Sequence, residues 1–149
     1  MKKENKNKYG DCFQSAYRFI TESNWVRPLV NGTLRLCHGV CVGNGGEVAG
    51  RTFVHAWVED ADTVWDYSNG NKVQIPKFIY YAVGRVSDVR RYTRRHAMNN
   101  ALESGHYGYW DEDLFNPVMA QFKAICTDKR PKVRDNPKST PKVALNDPK

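Results

Sequence analysis

The sequence lacks any apolar run long enough to cross a membrane. No stretch approaches the ~20 consecutive apolar residues that a transmembrane helix needs. The opening residues 1–6 (MKKENK) are polar, and no apolar segment of the kind found in secretory signal peptides follows them. We therefore expect a cytoplasmic protein that has no membrane partner.

The middle of the chain lacks net charge, although the whole chain carries a formal charge of +7. Residues 1–10 hold four lysines and one glutamate, and residues 127–149 hold seven basic and three acidic side chains. The remaining residues, 11–126, carry 12 basic and 12 acidic side chains. We predict a flexible basic arm (1–10), one folded domain (11–126) and a disordered Pro- and Lys-rich tail (127–149). The small size and lysine-rich ends are typical of bacteriophage proteins.

A second pair of metal ligands is also missing. Four cysteines occur, at positions 12, 37, 41 and 126, and we expect them to be reduced because no secretion signal precedes them. Cys37 and Cys41 flank His38, but haem attachment requires the His after the second Cys, and zinc normally requires another close ligand pair. We interpret the two cysteines as small residues of a buried strand. The sequence thus predicts neither a metal nor a cofactor.

The residue pattern predicts an α+β domain. Phe13, Ala16, Tyr17 and Ile20 form one apolar face of a helix over 12–22, with Asp11 as its N-cap. Strands are predicted over 33–42, 51–59 and 63–67, and residues 77–89 are ambiguous between strand and helix. Helices are predicted over 93–103, with Thr93 as the N-cap, and over 111–125, where Pro117 is expected to interrupt the helix.

Cys12 is the first candidate catalytic residue. It lies in the first turn of the predicted helix, where free backbone N–H groups and the helix dipole favour a thiolate and can hold an oxyanion. The alternative is a small buried residue of an amphipathic helix.

His55 and Asp66 are the second and third candidates. By alternation, His55 shares a strand face with Phe53, Trp57 and Glu59, so its imidazole is either a packed core residue or a shielded general base. If the hairpin turns at residues 60–61, Val58 faces Thr63 and His55 faces Asp66 directly. A carboxylate in that position orients the imidazole, as in a catalytic triad.

These residues resemble a known superfamily. The motif Gly10-Asp11-Cys12-Phe13 is similar to the start of the central helix in papain-like enzymes. The segment from His55 to Glu59, followed by Val64-Trp65-Asp66, resembles the His and Asp strands of transglutaminase-like and related papain-like proteins, which include bacterial leader-peptide peptidases that process lasso peptides.

The resemblance covers residues 9–85 and also extends to the order of the three residues, Cys12, His55 and Asp66. It implies a papain-like or transglutaminase-like fold, with a Cys-bearing helix packed on an antiparallel sheet, and cysteine acyl-transfer chemistry. Papain-type enzymes place an oxyanion Gln shortly before the Cys. Here that stretch holds Asn5, Asn7 and Tyr9, and Gln14 follows the Cys.

Two functions follow from these observations. The first is a cysteine hydrolase or acyltransferase that uses Cys12, His55 and Asp66 on an amide or ester of a protein or peptide substrate. The second is a non-catalytic binding module of the same fold. Its basic ends and an arginine-rich stretch, residues 85–95, would then dock nucleic acid or an acidic protein.

Overall fold

The protein consists of one antiparallel sheet with helices on both faces. The computed structural model describes residues 11–22 and 34–127. Five strands pair in the order β4-β3-β2-β1-β5. The elements in chain order are α1 (Cys12–Glu22), β1 (Arg35–Val42), β2 (Thr52–Glu59), β3 (Thr63–Asp66), β4 (Val73–Pro76), α2 (Lys77–Gly84), β5 (Ser87–Tyr92), α3 (Arg94–Ser104) and α4 (Glu112–Thr127).

The predicted α+β class is confirmed: an N-terminal helix precedes the sheet and two helices follow it. The predicted basic arm, 1–10, lies outside the described residues. The predicted tail also lies outside them, apart from Thr127, which is the last residue of α4. None of the helices in the described part of the chain is long and apolar enough to span a membrane.

The two faces of the sheet carry different helices. The back face of β2, formed by Val54, Ala56 and Val58, packs against α1 and α4. The front face, formed by Phe53, His55 and Trp57, packs against tyrosines of α2. This alternation along β2 confirms the predicted facing of His55, since successive side chains of a strand point to opposite sides.

Helix α1 has the predicted bounds and apolar face. Ala16 and Ile20 are buried against the back face together with Cys12 and Phe19, and Phe13 and Tyr17 flank them. The side chain of Asp11, the predicted N-cap, accepts the backbone N–H of Asn69 at 2.8 Å. Asp11 therefore ties the start of α1 to the short 3-10 turn that follows β3, Ser68–Gly70.

The predicted register of the β2–β3 hairpin is wrong by two residues. Val58 pairs with Trp65 instead of Thr63. The cause lies in the turn, where one carboxylate oxygen of Asp60 accepts the N–H groups of both Asp62 and Thr63. This Asx-type turn leaves a two-residue loop and closes the hairpin one residue later than predicted. A shift of two residues keeps every side chain on its face, so Asp66 and His55 still share the front face.

The ambiguous segment 77–89 contains both kinds of structure, because α2 ends at Gly84 and β5 begins at Ser87. The sequence pattern does not predict β4, and the first residues of β5 fall in the segment that is ambiguous between strand and helix. Strand β4 has only four residues and ends in Pro76, and β5 contains Arg90 and Arg91. Proline and charge are common on edge strands, and both weaken the apolar alternation by which a strand is recognised.

The two C-terminal helices fit the prediction with one correction. The Thr93 hydroxyl accepts the His96 N–H at 3.1 Å, which confirms Thr93 as the N-cap of α3. Helix α4 is wrongly predicted to be interrupted, since it continues through Pro117. Proline there removes one backbone donor. Burial of Phe115 and Phe122 on either side of Pro117 favours the continuous helix.

Candidate active site

His55 and Asp66 are in direct contact on the front face of the sheet. His55 Nε2 lies 2.7 Å from Asp66 Oδ2, and the two side chains are only 15% and 13% exposed. Phe53 meets the imidazole edge-on, and Trp57 stacks near it with ring planes 24° apart. The aromatic neighbours shield the pair from water, which strengthens the interaction between the two groups.

Three further hydrogen bonds fix the Asp66 carboxylate. Oδ1 accepts the Ser68 hydroxyl at 2.7 Å and the Ser68 N–H at 3.1 Å, while Oδ2 accepts the Tyr80 hydroxyl at 2.8 Å. Burial raises the pKa of Asp66, but the hydrogen bonds from His55, Ser68 and Tyr80 outweigh burial and hold this pKa well below its usual range. Asp66 is therefore an anion with a fixed orientation at neutral pH.

The imidazole of His55 is more basic than an ordinary histidine. Burial lowers its pKa, whereas the hydrogen bond to Asp66 and the interaction with Cys12 raise it, with a net rise to about 10. His55 is therefore protonated at neutral pH. Because Nε2 is bound to Asp66, Nδ1 is the ring nitrogen that remains for the Cys12 thiol.

Cys12, the first residue of α1, lies close enough to His55 to influence the charge of the imidazole. The ladder between β2 and β3 consists of two pairs, Val58–Trp65 and Glu59–Val64. Cys12 belongs to the buried cluster on the back of the sheet that also holds Ala56 and Trp65, and it is 8% exposed. Its interaction with the imidazole of His55 raises the pKa of that histidine.

The structure joins His55 to Asp66 by a hydrogen bond, and it adds two partners of Asp66 that the sequence analysis missed. Ser68 follows β3 in a turn, and Tyr80 comes from α2. The Ser68-Asn69-Gly70 turn signal predicts a chain reversal but not a hydrogen bond to Asp66. No feature of the sequence distinguishes Tyr80 from Tyr81. Asn5, Asn7 and Tyr9, which precede Cys12, lie outside the described residues.

The Cys37-His38-Cys41 segment does not form a metal centre. All three residues are buried in β1, but Cys37 and Cys41 pack on the front face with Trp57, while the His38 ring contacts Phe13 and Trp110 on the back. In the described ranges, no group of three or more potential ligands is placed to hold a metal ion. Burial raises the pKa values of both thiols, that of Cys41 to about 12, so neither forms a thiolate at neutral pH.

The arginine-rich stretch is partly engaged within the molecule. Arg90 pairs with Asp111 at 2.7 Å, Arg91 pairs with the buried Glu59 at 2.8 Å, and Arg94 donates to the Thr21 carbonyl at 2.9 Å. Three of the five arginines thus hold neighbouring elements together. Docking of nucleic acid or an acidic protein by this stretch stays a prediction.

Comparison with protein-family models, curated proteins and solved structures finds no match.

Proposed function

We propose that the protein is a cysteine hydrolase or acyltransferase of the papain-like or transglutaminase-like kind, acting on an amide or ester of a protein or peptide. The 2.7 Å contact between His55 Nε2 and a carboxylate that is itself held by Ser68 and Tyr80 carries the proposal. A structural role for Asp66 needs no imidazole partner, whereas an acid–base histidine needs an orienting anion. The proposed location is the cytoplasm, where cysteines stay reduced.

Acylation begins from an imidazolium on His55. The Cys12 thiolate attacks the substrate carbonyl carbon, a C–S bond forms, and the carbonyl π electrons move to oxygen. Free N–H groups at the start of α1 stabilise that oxyanion. His55 Nδ1–H then protonates the departing nitrogen, the C–N bond breaks, and the amine leaves a thioester on Cys12.

Deacylation reverses the proton movement. Neutral His55 takes a proton from water, the resulting hydroxide adds to the thioester carbonyl, and the C–S bond breaks with its electrons returning to sulfur. The acid product leaves, and His55 is again an imidazolium beside the Cys12 thiolate. An amine in place of water gives transfer instead of hydrolysis. Throughout, Asp66 remains ionised and holds the ring.

A chromogenic ester tests this proposal without knowledge of the natural substrate. Mixing the protein with p-nitrophenyl acetate should release a burst of p-nitrophenolate, and peptide mapping should find the acetyl group on Cys12. The Cys12→Ala variant should lose the burst, and the matched Cys126→Ala variant should keep it. A burst that survives Cys12→Ala, or an acetyl group found on another residue, would refute the proposal.

The charge of +7, carried by the two ends, favours the second candidate, a non-catalytic binding module. That candidate predicts binding of a labelled single-stranded DNA that falls tenfold or more between about 50 and about 200 mM salt, because bound counterions are released. It also predicts that removing residues 127–149 abolishes binding. Affinity that is independent of salt would exclude it.

A further inference from the structure

A small apolar pocket opens on the front face of the sheet, directly beside His55. It has a volume of about 220 Å³ and lies between strands β1 and β2, the edge strand β4 and helix α2. Its main side chains are Val48, Phe53, His55, Ile75, Tyr80 and Val83. None of the described residues that line it is Asp, Glu, Lys or Arg. The pocket therefore suits an uncharged, apolar group.

The size of the pocket selects the kind of ligand. Drug-sized molecules and cofactors occupy pockets of roughly 300–1,000 Å³, above the size of this one. An apolar cavity of about 150 Å³ already holds a benzene ring. A pocket of about 220 Å³ therefore fits one large apolar side chain, of the size of Leu, Met or Phe.

The wall between β1 and β2 is preformed. Gly43 donates its N–H to the Arg51 carbonyl and accepts the Gly50 N–H, which folds the loop back on itself. A Cβ atom on Gly43 would lie 2.0 Å from the Val48 carbonyl oxygen, so this close approach requires glycine. The fold thus positions Val48 at the pocket before a ligand binds, so binding does not have to order this side chain.

The pocket is continuous with the candidate active site. His55 and Tyr80 belong to both, because they line the pocket and also bind Asp66. At the open side of the pocket, Val48 is 37% and Val83 is 52% exposed, so apolar surface faces solvent there. A side chain seated in the pocket places its own backbone next to the imidazole.

We propose that this pocket is the specificity subsite of the enzyme. It receives a single large apolar side chain, of the size of Leu, Met or Phe, from the residue that carries the carbonyl attacked by Cys12. The substrate class is thus a peptide or protein with such a residue on the acyl side of the reacting bond. This inference rests on the proposed function, which supplies the attacking thiol.

Peptidyl fluoromethyl ketones test the subsite. The thiolate forms a C–S bond to the reagent and fluoride leaves, so intact mass reports the rate without a natural substrate. We expect the N-acetyl-Leu reagent to alkylate Cys12 at least tenfold faster than the N-acetyl-Ala, -Asp or -Lys reagents. If Cys12 reacts, equal rates for the Leu and Ala reagents would overturn the subsite.

Two matched variants on α2 locate the effect. Val83→Arg places a charge at the pocket, and it should bring the ratio of Leu to Ala reagent rates close to one. Phe78→Arg adds the same charge at a 75% exposed position of the same helix that does not line the pocket, and it should preserve the ratio. A ratio that is unchanged in Val83→Arg, or lost in Phe78→Arg, would contradict the assignment.

A binding experiment separates this inference from the proposed function. In the Cys12→Ala variant, which has no nucleophile, N-acetyl-leucine methylamide should shift the NMR signals of the Val83 and Ile75 methyl groups. N-acetyl-lysine methylamide should shift them much less. Shifts from the Leu compound, together with an unreactive Cys12 in the wild type, would support the pocket and refute the enzyme. Equal effects of both compounds would refute the pocket alone.

Discussion

Asp66 determines the charge of His55 more directly than any other residue. Its carboxylate accepts hydrogen bonds from His55, Ser68 and Tyr80, and all three side chains come from different parts of the chain. Each of the two carboxylate oxygens accepts two hydrogen bonds. The imidazole therefore meets a full negative charge at a fixed distance, and its proton is stabilised.

Replacing Asp66 with Asn should lower the pKa of His55 by about 1–3 units, because an adjacent opposite charge stabilises the imidazolium by that amount. The His55 Cε1–H signal in an NMR titration gives this pKa. Asp113→Asn, an exposed acid in the first turn of α4, is the control and should leave the titration of His55 unaltered. An unaltered titration in Asp66→Asn would contradict the assigned contact.

Position 108 requires glycine because the backbone there passes close to the ring of His38. A Cβ there would lie 2.4 Å from Cε1 of the buried His38, and its φ of +126° disfavours any other residue. Gly108→Ala should therefore lower the free energy of unfolding by about 1–3 kcal/mol. Urea denaturation measures the loss. Gly45→Ala, where the added Cβ meets nothing within 4 Å, should lose much less.

At the scale of elements, Glu59 connects strand β2 to helix α2 and strand β5. This carboxylate, only 1% exposed on β2, pairs with Lys77 of α2 and Arg91 of β5, and it accepts the Tyr81 hydroxyl of α2. It also accepts the indole N–H of Trp57, which stacks near His55. Burial raises the pKa of Glu59, but its four partners outweigh burial and lower it. Glu59 thus connects the pairing of elements to the position of the candidate base.

Glu59→Ala should destabilise the fold by about 3 kcal/mol, since it leaves Trp57 Nε1 without an acceptor and removes the shared partner of two cations. Chemical denaturation provides the measurement. Glu112→Ala, at an exposed position of α4, is the matched control and should change stability by less than about 0.5 kcal/mol. Similar losses of unfolding free energy in both variants would show that the contacts of Glu59 do not stabilise the fold more than an exposed acid does.

The elements also explain what sequence patterns can predict. The helical spacing of apolar residues in α1 and the alternation in β2 predicted these elements and the face of His55 correctly. Both patterns arise because one side of each element is buried. The register of β2 against β3 was wrong because it depends on the Asp60 carboxylate in the turn. The interaction of Cys12 with His55, and the hydrogen bond from the Tyr80 hydroxyl to Asp66, depend on the packing of segments that are distant in the sequence. Local patterns contain no record of such packing.

At the scale of the whole molecule, two histidines make stability depend on pH in opposite directions. The pKa of His55 is raised, so its contribution is complete below about 6.5 and is lost as pH rises through its folded pKa of about 10. Burial lowers the pKa of His38 to about 3, so the fold must exclude a proton there as pH falls below about 6.5. In the proposed thiolate–imidazolium pair, the proton that His55 keeps above pH 6.5 replaces one that Cys12 has lost, so the alkaline loss of stability should begin only near pH 8.5, the ordinary pKa of a thiol.

Urea denaturation from pH 4 to pH 10 tests this expectation. Stability should fall below about pH 6.5 and above about pH 8.5, by about 1.4 kcal/mol per pH unit for each unmatched proton, and it should change little between those two values. Asp66→Asn should flatten the alkaline side only, since His38 is unaffected by that change. Stability that already falls steeply between pH 6.5 and pH 8, or an alkaline side that Asp66→Asn does not alter, would contradict the charge states assigned to His55 and Cys12.

The reactivity of Cys12 shows whether this thiol is ionised beside His55. Alkylation by iodoacetamide at about pH 5.5, mapped by mass spectrometry, compares Cys12 with Cys126 in the same molecule. An ordinary thiol, with a pKa near 8.5, is almost entirely protonated at that pH. If Cys12 forms a thiolate beside the His55 imidazolium, it should react at least tenfold faster than Cys126, and His55→Ala should abolish the difference. Equal rates for the two cysteines in the wild-type protein would contradict the account.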